Sequence, residues 1–475
     1  MKSFLITTLL FIQSLTYSQA LECECPQIYE RLVQSLESNY IGLAFIKKQG
    51  KADTYFRWKS QYAGKANQTT LENCTALLQD FLRNFEDGHL FVMESPAYGP
   101  EELELFKTRV RQRSMDPDTL KLNTMDPKGL VGTWSDGISK IGIVKRGESY
   151  NAYIMESTND STIAGELKAS FQREGELYMG TYYSYGHAPR YVEGQLFKEQ
   201  LLFVLTGGIY WGKLNSEPSL ETRAMDKNNL RLPSLLTLNN NTTLFSIPSF
   251  LVDSNDFIKV LTEHLDLIRN TKILIIDVRG NIGGNALYLA FLDAYATESM
   301  QSSQGWVLAS ADTKAYFNRL AKNAEELYGP VVERIDNAMG QIVEGPEYPE
   351  RKFQPFESKI EQVAILMDHG SMSASESFIL HSKDASDKVT TFGGPSGGTI
   401  DYTGINMVPL TSCERNIYFG YPTSTLDKEV PNKGHNATGI LPDVPIPSNI
   451  QNKIKFVMDY YADQKNMESG NPNRQ

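Results

Sequence analysis

The chain has 475 residues, 41% of them hydrophobic and 22% charged, enough apolar material for ordinary cores and too much chain for one of them. Its formal net charge is −11 and its basic residues form no stripes or runs, which argues against a nucleic-acid partner. Residues 1–20, MKSFLITTLLFIQSLTYSQA, combine Lys2, an apolar run from Phe4 to Ile12, and small residues Ser18 and Ala20 before a cut, the pattern of a secretory signal peptide. An exported mature chain starting at Leu21, periplasmic or secreted, is expected. No later stretch reaches the roughly 18 apolar residues of a membrane helix.

Four cysteines follow, Cys23, Cys25, Cys74 and Cys413. In an oxidising compartment a bridge from Cys74 to one of the first pair would pin the mature N-terminus, with free thiols as the alternative. The CxC has no His or Cys pair at zinc spacing, so neither a metal nor a cofactor is expected.

Residues 21–128 read as a helical segment. Ile28, Leu32, Val33 and Leu36 recur at helical spacing, and Leu71, Cys74, Leu77, Leu78, Phe81, Leu82 and Phe85 repeat the pattern more strongly. The second helix should stop at EDGH, with Gly88 as a left-handed cap, before a strand LFVM at 90–93. His89 then sits at a helix-to-strand corner.

From 129 to 215 short aromatic and β-branched runs alternate with Gly and Asn, including a hairpin turn at RGE, 146–148. This predicts a small antiparallel β domain with Trp134 and Trp211 as packing residues. Beyond a polar link at 215–240, strands alternate with helices over 216–462: TLFSIPSF, a helix at 257–268, ILIID at 273–277, a helix at 286–295, VAILMD at 363–368, a helix SESFILHSKDA, and VTTF at 389–392. That alternation implies an α/β sheet with crossovers. A polar, partly helical insertion lies at 300–356, and residues 463–475 read as a disordered tail.

Two strand-to-helix turns carry the chemistry. In IIDVRGNIGGNA, Gly280, Gly283 and Gly284 let backbone N–H groups face outward at a helix start, a cradle for an oxyanion. In DHGSMSASESF, Ser373 and Glu376 fit a capping box, and a serine at a helix start can also be a nucleophile, with the Ala374 N–H beside it.

This pair, together with NFEDGHLFV near the N-terminus and TGILPDVPIP at 438–447, resembles peptidase family S41, the tail-specific or C-terminal processing peptidases, whose core has a ClpP/crotonase-like fold. The resemblance implies that Ser373 is the nucleophile and that Gly283, Gly284 and Ala374 form the oxyanion hole. Members with a Ser/Lys dyad place a lysine where this chain has Thr399, and Lys383 and Lys388 do not replace it. The tricorn-like branch instead takes a base from an N-terminal segment, which implies His89, an imidazole mostly neutral at pH 7. The nearer His369 is a surface or packing residue on this reading. That branch has a glutamate where Asn436 stands, leaving Asp401 to supply the charge, with Asp87 as a weaker option.

The function expected is therefore exported serine peptidase, acting on a peptide or protein substrate through an acyl-enzyme. Two alternatives stay open: an inactive relative binding peptide in the same groove, and a β domain binding a small apolar or glycan ligand. No PDZ-type loop is present, so recognition of an unstructured C-terminal tail is not implied.

Overall fold

The computed structural model describes residues 23–124, 129–214, 220–224, 229–354, 357–411, 413–430, 434–436 and 438–468. The expected signal peptide, residues 1–20, lies outside them.

Four helices open the chain: Cys25–Asn39, Ile41–Lys48, Ala52–Ala66 and Leu71–Arg83. The first carries Pro26 in its opening turn, where the missing N–H costs nothing, and buries Ile28, Leu32, Val33 and Leu36 on one stripe. Cys25 and Cys74 form a disulfide that staples the first helix to the fourth. The fourth buries Cys74, Leu78, Phe81 and Leu82 and ends at Arg83. Its left-handed residue is Glu86, φ 52°, rather than Gly88. Glycine is required at 88 for another reason: a Cβ there would sit 2.5 Å from Thr399 Oγ1, so the turn carrying His89 is pressed against the far end of the chain.

The stretch from Gly132 to Lys213 folds into eight antiparallel strands that close into a barrel. Arg146 pairs with Ser149 across the hairpin, where Gly147 takes φ 58°. Trp134, Trp211, Phe171 and Phe203 fill the interior and are fully buried.

Two sheets follow. The first has six described strands in the order Ser234–Asn239, Thr242–Ser246, Ile273–Asp277, Gln362–Met367, Val389–Gly393, Val444–Pro445, with every pair parallel except the first. Its central strands are apolar on both faces, as a covered parallel sheet requires. The edge strand Ser234–Asn239 arises within the segment expected to be a link. A second, antiparallel sheet joins Phe91–Glu94, Ile417–Thr425, Ser303–Leu308 and Ile342–Tyr348, with Tyr402–Pro409 also on Ile417–Thr425. The 300–356 insertion thus contributes two strands as well as the helices Ala311–Ala321 and Glu325–Asn337.

Three helix expectations change. Residues 286–295 form two short 3₁₀ turns, Leu287–Ala290 and Leu292–Ala294, rather than one α-helix, although the buried Tyr288, Phe291, Leu292 and Tyr295 stand at the spacing of a single helical face. The helix at 257–268 breaks at His264 into Ser254–Glu263 and Leu265–Asn270. The first part of the tail expected to be disordered, 463–468, continues the helix Lys453–Glu468, whose Ile454, Val457 and Tyr461 pack on Phe392 of the sheet, and the rest of that tail, 469–475, lies outside the described residues.

A hairpin of the barrel docks behind the sheet's central strands. Phe197 stacks on His369 with centroids 5.0 Å apart, Lys198 Nζ lies 3.2 Å from Asp277 Oδ2, and Glu199 Oε2 meets Arg279 Nη1 at 2.8 Å. Lys198, Glu199 and Gln200 all hold positive φ, so this tip adopts strained backbone where the two units meet. Burial alone would raise the Asp277 carboxyl, yet Arg279 and Lys198 beside it hold it well below the usual range.

Candidate active site

Adjacent parallel strands Ile273–Asp277 and Gln362–Met367 are in register from Ile273 opposite Gln362 to Asp277 opposite Leu366. Their carboxyl ends therefore deliver the turns 278–284 and 368–373 to one place, where ligands bind in open α/β sheets. Asp368 Oδ1 accepts the N–H groups of Gly280 and Gly370, both at 2.9 Å, tying the turns together. Burial raises its carboxyl, opposed by the charge of His369 and by those N–H groups.

The three alternating serines divide the work. Ser371 Oγ donates to the Val278 carbonyl at 2.9 Å, and Ser375 Oγ donates to the Asn281 carbonyl at 2.8 Å, so both stitch the second turn to the first. Ser373, between them, has its Oγ 2.8 Å from His89 Nε2. Its backbone sits at φ 53°, ψ −115°, which costs a non-glycine residue about 1–3 kcal/mol and persists only where the surroundings impose it. Gly283 makes room for that turn, since a Cβ there would lie 2.8 Å from Ser373 Cβ and 3.0 Å from the Ala374 nitrogen.

Helix Ala374–Ala385 starts just after Ser373, with the capping-box residues in place. Glu376 is fully buried and accepts the N–H groups of Ser373 (3.0 Å), Gly398 (2.8 Å) and Thr399 (2.8 Å) as well as the Ser396 hydroxyl. It therefore anchors the 396–399 loop to the serine turn. Thr399, at the lysine position of other members, uses its N–H in that anchor and its side chain against Gly88. Lys383 pairs with Asp443 at 2.5 Å.

His89 is 5% exposed. Asp87, in the same turn, accepts the His89 backbone N–H on Oδ1 at 2.9 Å and the Tyr40 hydroxyl on Oδ2 at 2.8 Å. Burial raises the Asp87 carboxyl, with His89 as the strongest opposing influence. His89 Nδ1 has no hydrogen-bond partner among the described residues. Asp401 is engaged elsewhere: its oxygens accept the backbone N–H groups of His435 (2.6 Å) and Asn436 (2.9 Å), fastening the segment of the expected glutamate.

The glycine turn departs from its expected form. Gly283 donates its N–H to Asn281 Oδ1 at 3.0 Å, and with 3₁₀ turns following, no α-helix dipole backs this side. The Ala374 N–H still heads a 12-residue helix. Asn281, Asp368 and Tyr40 were not legible as site residues. The first two lie inside the quoted motifs, and only their hydrogen bonds reveal what they hold. Among the described residues, no group of three or more His, Cys, Asp or Glu could hold a metal ion, and no helix is long and apolar enough to cross a membrane.

A serine on a strained turn, in contact with an imidazole and beside a helix N-terminus, has the parts of a nucleophile, a base and an anion cradle. Residues 241–446 match the model of peptidase family S41. No curated protein matches the chain. Similar solved structures include mature CPAF (13% identity over 92% of this chain and 96% of that chain, TM-score 0.47). The photosystem II D1 C-terminal processing protease is another (11%, 90% and 94%, TM-score 0.35), as is the tricorn protease (13%, 94% of this chain and 37% of that one, TM-score 0.39). The chain thus carries a peptidase family S41 domain over residues 241–446, the stretch that holds most of the mixed α/β sheets around Ser373.

Proposed function

We propose that this chain is an exported serine peptidase that cleaves peptide bonds through an acyl-enzyme on Ser373. The observation that carries the reading is the 2.8 Å contact between His89 Nε2 and Ser373 Oγ, made by a serine whose φ is 53°. In the first step neutral His89 accepts the Ser373 proton at Nε2 as Oγ attacks the scissile carbonyl. The same nitrogen returns that proton to the leaving amine, and the ester is released by a water activated in the reverse sense. The oxyanion is assigned to the N–H of Ala374 and of Gly284, since the Gly283 N–H is bonded to Asn281. Export is supported by the Cys25–Cys74 disulfide, a bond that persists in oxidising compartments.

Labelling with a fluorophosphonate tests this. A covalent adduct that disappears in Ser373→Ala and in His89→Ala supports the peptidase, together with release of a fluorogenic peptide product. The second reading, an inactive relative that binds peptide in the same groove, is favoured by the lack of a carboxylate on His89 Nδ1. Peptide binding without any adduct would support it.

A further inference from the structure

We propose that Asp87, clamped between Tyr40 and the His89 backbone, is the positioning residue that fixes the imidazole against Ser373 and supplies the negative charge balancing it once protonated. This inference rests on the Ser/His reading above.

Three buried carboxylates surround the reacting pair, and their hydrogen bonds distinguish them. Glu376 is committed to the Ser373 N–H and the 396–399 loop. Asp401 is committed to the N–H groups of His435 and Asn436. Asp87 alone bonds to the residue that carries the imidazole, by an Asx-type bond from the His89 N–H two residues on. Its second oxygen receives the Tyr40 hydroxyl, so the turn is locked to the junction between the first two helices. Tyr40 is 1% exposed, and its ring packs edge-on against Phe85 and Tyr402.

Because His89 Nδ1 has no hydrogen-bond partner among the described residues, the Asp87 charge reaches the ring through space. In a buried setting of low dielectric that interaction is strong. Asp401, Tyr40 and Tyr402 are the other titratable groups around this cluster, and Glu376 lies behind Ser373. Both tyrosines are pushed upward by burial and stay neutral. A nearby anion raises the pKa of a histidine, so its removal should move the acid limb of the rate profile to lower pH.

The experiment compares wild type, Asp87→Asn and Asp87→Ala in the full mature chain, following fluorophosphonate labelling of Ser373 and peptide turnover from pH 4 to 9. Asparagine keeps the Oδ1 acceptor for the His89 N–H, removes the charge and turns an amide donor toward the Tyr40 hydroxyl, which then accepts instead of donating. The expected result is a folded Asp87→Asn chain whose labelling rate and kcat/KM fall about tenfold or more, with the acid limb displaced downward. Asp87→Ala should show the same displacement with a lower melting temperature. An Asp87→Asn profile that keeps the wild-type acid limb overturns the inference, whether the rate is unchanged or falls only as the fold weakens. A wild-type chain that forms no adduct overturns the Ser/His reading and this inference with it, and that outcome is read before any variant is compared.

Discussion

His89 Nε2 and Ser373 Oγ lie 2.8 Å apart although 284 residues separate them in the chain. Four structural features close that distance. The Cys25–Cys74 bond and the helix Leu71–Arg83 set the histidine turn, the strand Phe91–Glu94 pairs it to Ile417–Thr425, and the Gly88–Thr399 contact presses it onto the serine lobe.

Position 373 should trade stability against activity. Ser373→Ala is expected to abolish fluorophosphonate labelling with little change in melting temperature. Ser373→Gly should be equally inert yet more stable by about 1 kcal/mol, because relief of the positive φ outweighs the extra freedom of the unfolded chain. Thermal unfolding of both variants decides it, and a glycine variant less stable than the alanine one would refute the strain argument.

Glu376→Gln should loosen the site from behind. An amide keeps one acceptor oxygen and turns a donor toward groups that are themselves donors, the N–H groups of Ser373, Gly398 and Thr399 and the Ser396 hydroxyl. Leaving at least one of these unsatisfied costs about 1–3 kcal/mol. A lowered denaturation midpoint and faster hydrogen exchange at residues 396–399 are the expected readouts.

Breaking the disulfide should cost activity before it costs the whole fold. The Cys25–Cys74 bond closes a loop of sequence separation 49, for which chain entropy gives about 4 kcal/mol. The Cys25→Ser/Cys74→Ser double variant should lose activity at a lower urea concentration than wild type, because the helices that carry His89 open first. Fluorescence and activity followed in the same titration would separate the two events.

Stability should rise with pH between about 7 and 9 because of two lysines in the barrel. Burial pushes Lys168 down to about 7 and Lys213 to about 8 from an ordinary 10.5. Over that window the unfolded chain binds protons that the folded chain refuses, so raising the pH favours the fold, by at most about 1.4 kcal/mol per unit for each group. Lys168→Met should raise the melting temperature at pH 7 and flatten its rise toward pH 9. An unchanged slope would mean that the stacked rings of Tyr182 and Tyr185, whose centroids lie 4.7 Å and 3.5 Å from its Nζ, keep the ammonium charged.

Local pattern was enough to read the parallel strands at 273–277 and 362–367, the helix after Ser373 and the hairpin at Gly147, since each is specified by residues next to one another: an apolar run, a capping pair, a glycine in a two-residue turn. Local pattern misread the segment at 286–295, where an apolar run at helical spacing forms two short 3₁₀ turns instead of an α-helix. Gly88 was read as a helix cap from its place in the sequence, whereas the side chain of Thr399, 311 residues further on, is what excludes a Cβ there.

The amino-acid order by itself determined which residue types were available for chemistry, a serine at a helix start, a histidine at a corner, glycines in a turn, and the strands and helices that present them. Which oxygen faces which nitrogen was decided only by the tertiary structure. Asp401 is spent on a backbone segment, Gly283 on Asn281, and Asp87 on the histidine turn, because a hydrogen bond is set by distances of a few tenths of an ångström between groups that packing, not adjacency in the chain, brings together.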